Sequence, residues 1–249
     1  MADKKEKDLT KVSDAAYIRA LDSNGNPVLI SKADLAQVAA ELMPANSLYG
    51  KVNDSVFIMY HRKTDGYPLM VKPELWQAVQ NNGETATGVV VMSGDKIRVI
   101  APSEATELLK WSSAKVVGGG TAINDIETAI CDWDGKNNTA SQATHSECSS
   151  AGYAPGFCNL YSHGGHTAGK WWLPSLGEMM MIYANITKVN YALSLIEGAT
   201  PIPRGWHWCS TEWTGDGGSW LLGTGDGYMN YGDKVKDAAH VRPVSTFML

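Results

Sequence analysis

No apolar run in this sequence approaches the ~20 consecutive residues of a membrane-spanning helix, so no segment is expected to insert into a bilayer. The opening stretch, MADKKEKDLTKVSDAAY, is charged and lacks the apolar h-region of a secretory signal peptide, which predicts synthesis in a cytoplasm. Positive charge is not in excess: 21 Lys and Arg stand against 26 Asp and Glu, which excludes long-range attraction to nucleic acid or anionic membrane as a mode of action. The four cysteines (Cys131, Cys148, Cys158, Cys209) lack the CxxC pairing of a zinc site. Cys148 and Cys158 could pair in an oxidising setting, but cytoplasmic synthesis favours small buried thiols. Catalytic signatures are missing too, with no GxSxG and no HExxH. Gly118, Gly119 and Gly120 are not followed by Lys-Ser/Thr and complete no GxGxxG, so they read as a hinge or tight turn. His163 and His166, with Cys158 nearby, are too few to make a metal site and read as a polar loop.

With 249 residues, the chain has room for one large domain and a smaller N-terminal element. The first dozen or so residues alternate Lys with Asp and Glu and cannot offset the entropy of ordering themselves. Tyr17 to Ile30 reads as a hairpin turning at Asp22–Asn26. Ser31 and Asp34 then open a predicted helix, KADLAQVAAELM, whose Leu35, Val38 and Leu42 form a short apolar stripe in need of a partner. Further on, Ser55–Tyr60 reads as a strand. A helix is predicted from Pro73 through Gln80, closed by Gly83, with Pro at its first turn and Gly past its end. GVVVM and KIRVI read as strands joined at Ser93–Asp95, followed by a helix-like SEATELLKW. Ser175 with Glu178 forms an S-x-x-E capping box opening a helix through Tyr183, and another helix runs from Val189 to Ile196, ending at Gly198.

After Pro203 the composition shifts. Residues 205–233 hold Trp206, Trp208, Trp213 and Trp220 with eight glycines, and no Lys or Arg lies between Arg204 and Lys234. Short aromatic runs broken by Gly and Asp predict short strands and tight turns, Asp226-Gly227 among them. Rigid aromatics beside Gly, Ser, Asp and Asn are also the composition of binding surfaces. Trp206, Trp208 and Trp220 are expected in the core, whereas Trp213 is expected to face a ligand.

Four motifs in order, Trp171-Trp172-Leu173-Pro174-Ser175, Trp208-Cys209-Ser210-Thr211-Glu212, Trp220 and Val241-Arg242-Pro243-Val244, make residues 85–249 resemble a known family. It comprises the C-type-lectin-fold variable proteins of diversity-generating retroelements, especially those of gut Bacteroidales and their phages, related in fold to formylglycine-generating (sulfatase-modifying) enzymes. The segment from Ser13 through Met43 resembles the start of phage fibre or other virion proteins. The resemblance implies an α+β chain: a flexible leader and attachment or oligomerisation segment (1–45), a connecting α/β segment (46–84) and a C-type-lectin-fold ligand-binding domain (85–249). It implies no catalytic residue, no cofactor and no metal.

In that family, mutagenesis scatters certain codons into Asp, Gly, Ser, Tyr and His while scaffold codons persist. By this implication the ligand-binding positions are His207, Trp213, Gly215, Asp216, Gly218, Leu221, Gly223, Gly225, Tyr228, Tyr231, Gly232, Asp233, Asp237 and His240, exposed and clustered on one face. Ser210, Thr211, Glu212, Trp220, Lys234 and Arg242 resemble scaffold. The implied function is a phage tail or head fibre, or its tip, located in the virion. It would trimerise, contact other virion proteins and bind a bacterial surface glycan or protein, without nucleic acid or membrane insertion. Two other readings are a structural virion decoration protein and a formylglycine-type enzyme. The latter works through a cysteine pair, whereas this region holds only Cys209. A calcium site on Asp216, Asp226 and Asp233 is a further possibility for a lectin-like fold, although the resembled branch does not require calcium.

Overall fold

The computed structural model describes residues 17–21, 25–31, 55–213 and 217–247. Contacts divide the chain into two units, Met1–Asn53 and Asp54–Leu249. In the first, β1 (Tyr17–Leu21) and β2 (Pro27–Ser31) form the expected antiparallel hairpin, with Leu21 opposite Pro27 and Gly25 at φ +82° in the turn. The helix expected over residues 32–43, with its Leu35/Val38/Leu42 stripe, lies outside the described residues.

The second unit mixes helices with antiparallel sheets, an α+β arrangement. Strands β3 (Val56–His61), β4 (Pro68–Val71), β5 (Ala86–Ser93) and β6 (Lys96–Ile100), with the late strand β10 (Val244–Ser245), form one sheet in the order β10-β6-β5-β3-β4. Residues 54–84 are therefore not a separate connection. β3 pairs along β5, and the domain begins near Asp54 rather than at residue 85. The β5–β6 turn falls at Gly94 (φ +59°) between the paired Ser93 and Lys96, as the sequence indicates. Pro73 starts a 3₁₀ turn (Pro73–Leu75) that runs into α1 (Trp76–Asn81), and Gly83 takes φ +84° beyond it.

SEATELLKW is not a helix. Its amides are spent elsewhere: Ala105 N–H donates to Val241 O, Leu109 N–H to Ala239 O and Trp111 N–H to Lys234 O, so the C-terminal strand region outcompetes local coiling. Three short helices follow: α2 (Ile126–Ala129), α3 (Gly135–Gln142) and α4 (Ala154–Leu160). Helix α5 (Leu176–Ala184) carries the expected capping box, in which Ser175 and Glu178 satisfy each other's backbone amides. Helix α6 (Ile186–Ser194) is the second one anticipated. Among the described residues, no helix is long and apolar enough to cross a membrane.

The remaining strands, β7 (Trp206–Glu212), β8 (Gly218–Gly223) and β9 (Met229–Asp233), make a three-stranded antiparallel sheet with β8 in the middle. Strand alternation sends successive side chains of β8 to opposite sides. Trp220 and Leu222 join the main core with Trp172, Met179 and Ile182, while Leu221 joins Trp208, Trp111 and Leu173 in a second cluster. A fully buried central strand fixes the positions of both its neighbours, and β9 is thereby held at the molecular surface.

Candidate functional site on the three-stranded sheet

A buried ion pair lies at the end of β7. Glu212 ends β7, and its carboxylate accepts hydrogen bonds from Gly118 N–H (2.8 Å), Gly120 N–H (3.1 Å) and Gln142 Nε2 (3.2 Å). It also pairs with Lys234 Nζ, which donates to Val116 O (2.8 Å) and lies 4.0 Å from the centroid of the Trp111 ring. Burial pushes the Lys234 ammonium below its ordinary value, and Glu212 pulls against that. The glycine triplet is therefore a tight turn of backbone donors around an anion, and the anion is an internal carboxylate. Bulk is excluded there: a Cβ at Gly118 would stand 2.7 Å from Gln142 Cγ, and Gly119 adopts φ +75°.

Trp213 follows immediately after Glu212. Its amide bonds Gly218 O (3.1 Å), and its indole stacks on Tyr231 of β9 with centroids 4.1 Å apart and planes 9° from parallel. A pocket of about 190 Å³ opens beside this pair, lined by Lys115, Trp213, Gly217, Gly218, Tyr231 and Asp233. On the other side of Tyr231 a second depression of about 290 Å³ is bounded by Trp206, Leu221, Asn230, Asp237 and Ala239. Trp206 packs edge-on against Tyr228 at 6.0 Å. Trp206, Tyr228 and Tyr231 are 40%, 60% and 49% exposed, so one surface presents a row of aromatic rings with a hollow on each side of Tyr231.

The expected ligand-facing positions divide into three groups. Gly225, Tyr228, Tyr231 and Asp237 are exposed, and Trp213, Asp233 and His240 are half-buried, in keeping with a surface role. His207, Gly218, Leu221, Gly223 and Gly232 are buried, against the expectation of exposure. His207 is covered by the His240 ring stacked on it, and its Nδ1 lies 3.2 Å from Gly205 O. The backbone of Gly218 still borders the smaller hollow, but a Cβ at Gly232 would stand 2.7 Å from Leu221 Cδ1 and 2.8 Å from Trp208 Cη2, and one at Gly223 2.9 Å from Asp226 Oδ1. Gly232 is thus a packing requirement, whereas Gly225 has only Arg204 Cβ at 3.8 Å and tolerates a side chain. Gly215 and Asp216 lie outside the described residues.

Trp208 and Trp220 are buried as expected, but Trp206 is exposed and was missed as a surface aromatic. Its position at the first residue of β7, just after Gly205, was the available signal. Two members of the calcium trio serve turns instead: Asp226 Oδ1 accepts from Tyr228 N–H (3.0 Å), and Asp233 Oδ1 accepts from Val235 N–H (3.0 Å) and Lys236 N–H (3.1 Å). Cys209 is fully buried, and burial raises its thiol well above the ordinary range, so it is poorly placed for nucleophilic chemistry. Cys148, pushed up to about 12 by burial, and Cys158 are buried free thiols. His163 and His166 pair through their backbones across Gly164 (φ +54°) and Gly165 (φ +90°), a tight polar turn.

One cluster went unrecognised because its members are far apart in sequence. Glu104, His207 and His240 converge beneath the edge of the same sheet, His207 and His240 stacking at 4.9 Å. Glu104 Oε1 contacts His240 Nδ1 at 2.9 Å, and Glu104 Oε2 lies 3.7 Å from His207 Nε2 and 3.5 Å from Arg242 Nη2. Burial holds the His207 ring below the ordinary imidazole value.

Compared with known proteins, the chain matches no protein-family model and no curated sequence.

Proposed function

We propose that the protein is a virion-borne receptor-binding protein of a phage, a fibre or fibre tip, whose domain of C-type-lectin type holds a bacterial surface ligand against the β7–β9 sheet. The observation that carries this reading is the aromatic row of Trp206, Tyr228 and Tyr231, with Trp213 stacked behind Tyr231 and a hollow on each flank. Flat aromatic faces give large contact area at little entropic cost, and such residues dominate binding hot spots. A sugar ring or a peptide side chain laid on Tyr231 would reach the polar groups of Asn230, Asp233 and Asp237. In this reading the protein is no enzyme, and the N-terminal unit attaches it to other virion proteins as a homotrimer.

The test uses the fluorescently labelled full chain against whole gut-bacterial cells and immobilised surface polysaccharides. Wild-type protein is expected to bind a subset of strains, and the Trp213→Ala/Tyr231→Ala double variant to lose that binding. Mass spectrometry of purified virions should find the chain, and light scattering should give a trimer. Binding undiminished in the double variant would place recognition on another surface, and a monomer at micromolar concentration would remove the trimerisation role.

A further inference from the structure

We propose that Glu104, His207 and His240 form a binding site for one divalent transition-metal ion, of which Zn²⁺ is the best match, tying the Glu104 segment to β7 and to the C-terminal segment.

The argument begins with hydrogen placement. His207 Nδ1 lies 3.2 Å from the carbonyl oxygen of Gly205. A carbonyl only accepts, so Nδ1 carries the proton, and in the neutral ring Nε2 presents a bare lone pair. That lone pair faces Glu104 Oε2, which is also an acceptor, and neither atom has a hydrogen-bond partner. His207 is only 1% exposed, so solvent does not relieve the conflict. Two buried acceptors directed at each other need a cation between them. Arg242 supplies charge from one side at 3.5 Å, but its Nη atoms are directed at the carbonyls of Ala101, Thr200 and Pro201, and Glu104 Oε2 remains without a hydrogen bond.

The ligand geometry favours a metal as that cation. Zinc takes imidazole nitrogen and carboxylate oxygen at about 2.0–2.2 Å, which puts tetrahedral ligand atoms about 3.3–3.6 Å apart. Here one ligand atom from each of the three residues lies within 4.8 Å of the others, the only such trio among the described residues, and the His207–Glu104 pair is already at 3.7 Å. The Gly205 carbonyl serves as the outer partner that orients a metal-binding histidine. His240, now within hydrogen-bond reach of Glu104 Oε1 through Nδ1, would offer that nitrogen to the ion and carry a proton on Nε2.

The backbone holds the three ligands in place beforehand. Trp208 N–H bonds His240 O (3.0 Å), His240 N–H bonds Trp206 O (2.9 Å), and Ala105 N–H bonds Val241 O (3.0 Å). A Cβ at Gly205 would come within 3.0 Å of the His240 ring, so glycine there lets the ring lie against the chain. His240 keeps a quarter of its side chain in solvent, which gives the ion an entry route and an exchangeable fourth ligand.

The experiment takes the chelator-stripped full chain and titrates it with ZnCl₂ by calorimetry, and with CoCl₂ by visible absorption. One equivalent of zinc is expected to bind and raise the melting temperature, with cobalt giving d–d bands free of thiolate charge transfer. Glu104→Gln and His240→Ala, each checked for folding by circular dichroism, are expected to weaken binding at least ten-fold, and Cys131→Ala to leave it unchanged. The proposal is overturned by no saturable uptake, by uptake unaffected in both cluster variants, or by a cobalt–thiolate band. A melting temperature that rises on acidification without metal uptake would also overturn it, because the cation would then be a proton.

Discussion

The indole of Trp213 lies flat on the ring of Tyr231, 4.1 Å away and 9° from parallel, although Trp213 follows one edge strand, β7, and Tyr231 lies on the other, β9. Because Tyr231 is half in solvent while Trp213 packs partly against the main core, the pair offers one face to a ligand and anchors the other. Stacked aromatic pairs contribute ~0.5–1.5 kcal/mol beyond the area they bury. A double-mutant cycle of Trp213→Ala and Tyr231→Ala, read by chemical denaturation, is expected to return a coupling in that range. Zero coupling would mean that the rings do not stack in solution.

Trp220 fills the main core from the central strand, and its Nε1 donates to Ile123 O at 2.8 Å. Trp220→Ala removes a large buried side chain and orphans that carbonyl, at an expected cost of ~3–5 kcal/mol. A thermal melt of the variant should show a large drop or aggregation. Wild-type stability would show that Trp220 is not part of the core.

Glu212 and Lys234 are both buried, so removing one leaves the other charged and unpaired. Glu212→Gln is expected to cost ~3–5 kcal/mol, and the double variant Glu212→Gln/Lys234→Met less than that, because no isolated charge remains. Urea titrations of the two variants decide it. A double variant less stable than Glu212→Gln would show that the neighbouring amides, not the ion pair, set the cost.

His166 is buried, and its Nδ1 contacts Ser245 Oγ at 2.9 Å. That hydroxyl donates to Lys170 O, so the histidine Nδ1–H is the donor toward it. Burial first, then the neighbouring His61 and Lys170, lowers its pKa to about 4. The ordinary imidazole value of about 6.5 holds in the unfolded chain, which therefore binds more protons than the folded one between these limits. Stability should fall as pH drops from about 6.5 toward 4, by on the order of 2–3 kcal/mol. Denaturation curves at several pH values should show the slope in the wild type and a flatter one in His166→Gln. Equal slopes would assign the acid sensitivity to other groups.

Much of the local structure was legible in the sequence, because its signals act over a few residues. The Tyr17–Ser31 hairpin, the Ser175–Glu178 capping box and the turns at Gly94 and Asp226-Gly227 all follow from short-range hydrogen bonding and backbone freedom. Helix α3, by contrast, has no apolar stripe to read. Its buried face consists of Gly135, Asn138, Thr139 and Gln142, and the last three bond Thr121, Leu173 and Ser210, partners that only folding brings near.

By itself the sequence determined the strand and helix periods, the concentration of aromatics and glycines after Pro203, and the pairing of cap residues. The tertiary structure alone decided that Trp206 is exposed and His207 buried. Alternation puts Trp206 on the same face of β7 as Trp208 and His207 on the face of Cys209, yet Trp206 is exposed because it is the first residue of the strand and lies past the edge of the core that covers Trp208. The tertiary structure also decided the meaning of Gly118–Gly120 and the meeting of Glu104 with two distant histidines. Those relationships depend on hydrogen bonds across long stretches of chain, and no pattern along the sequence encodes them.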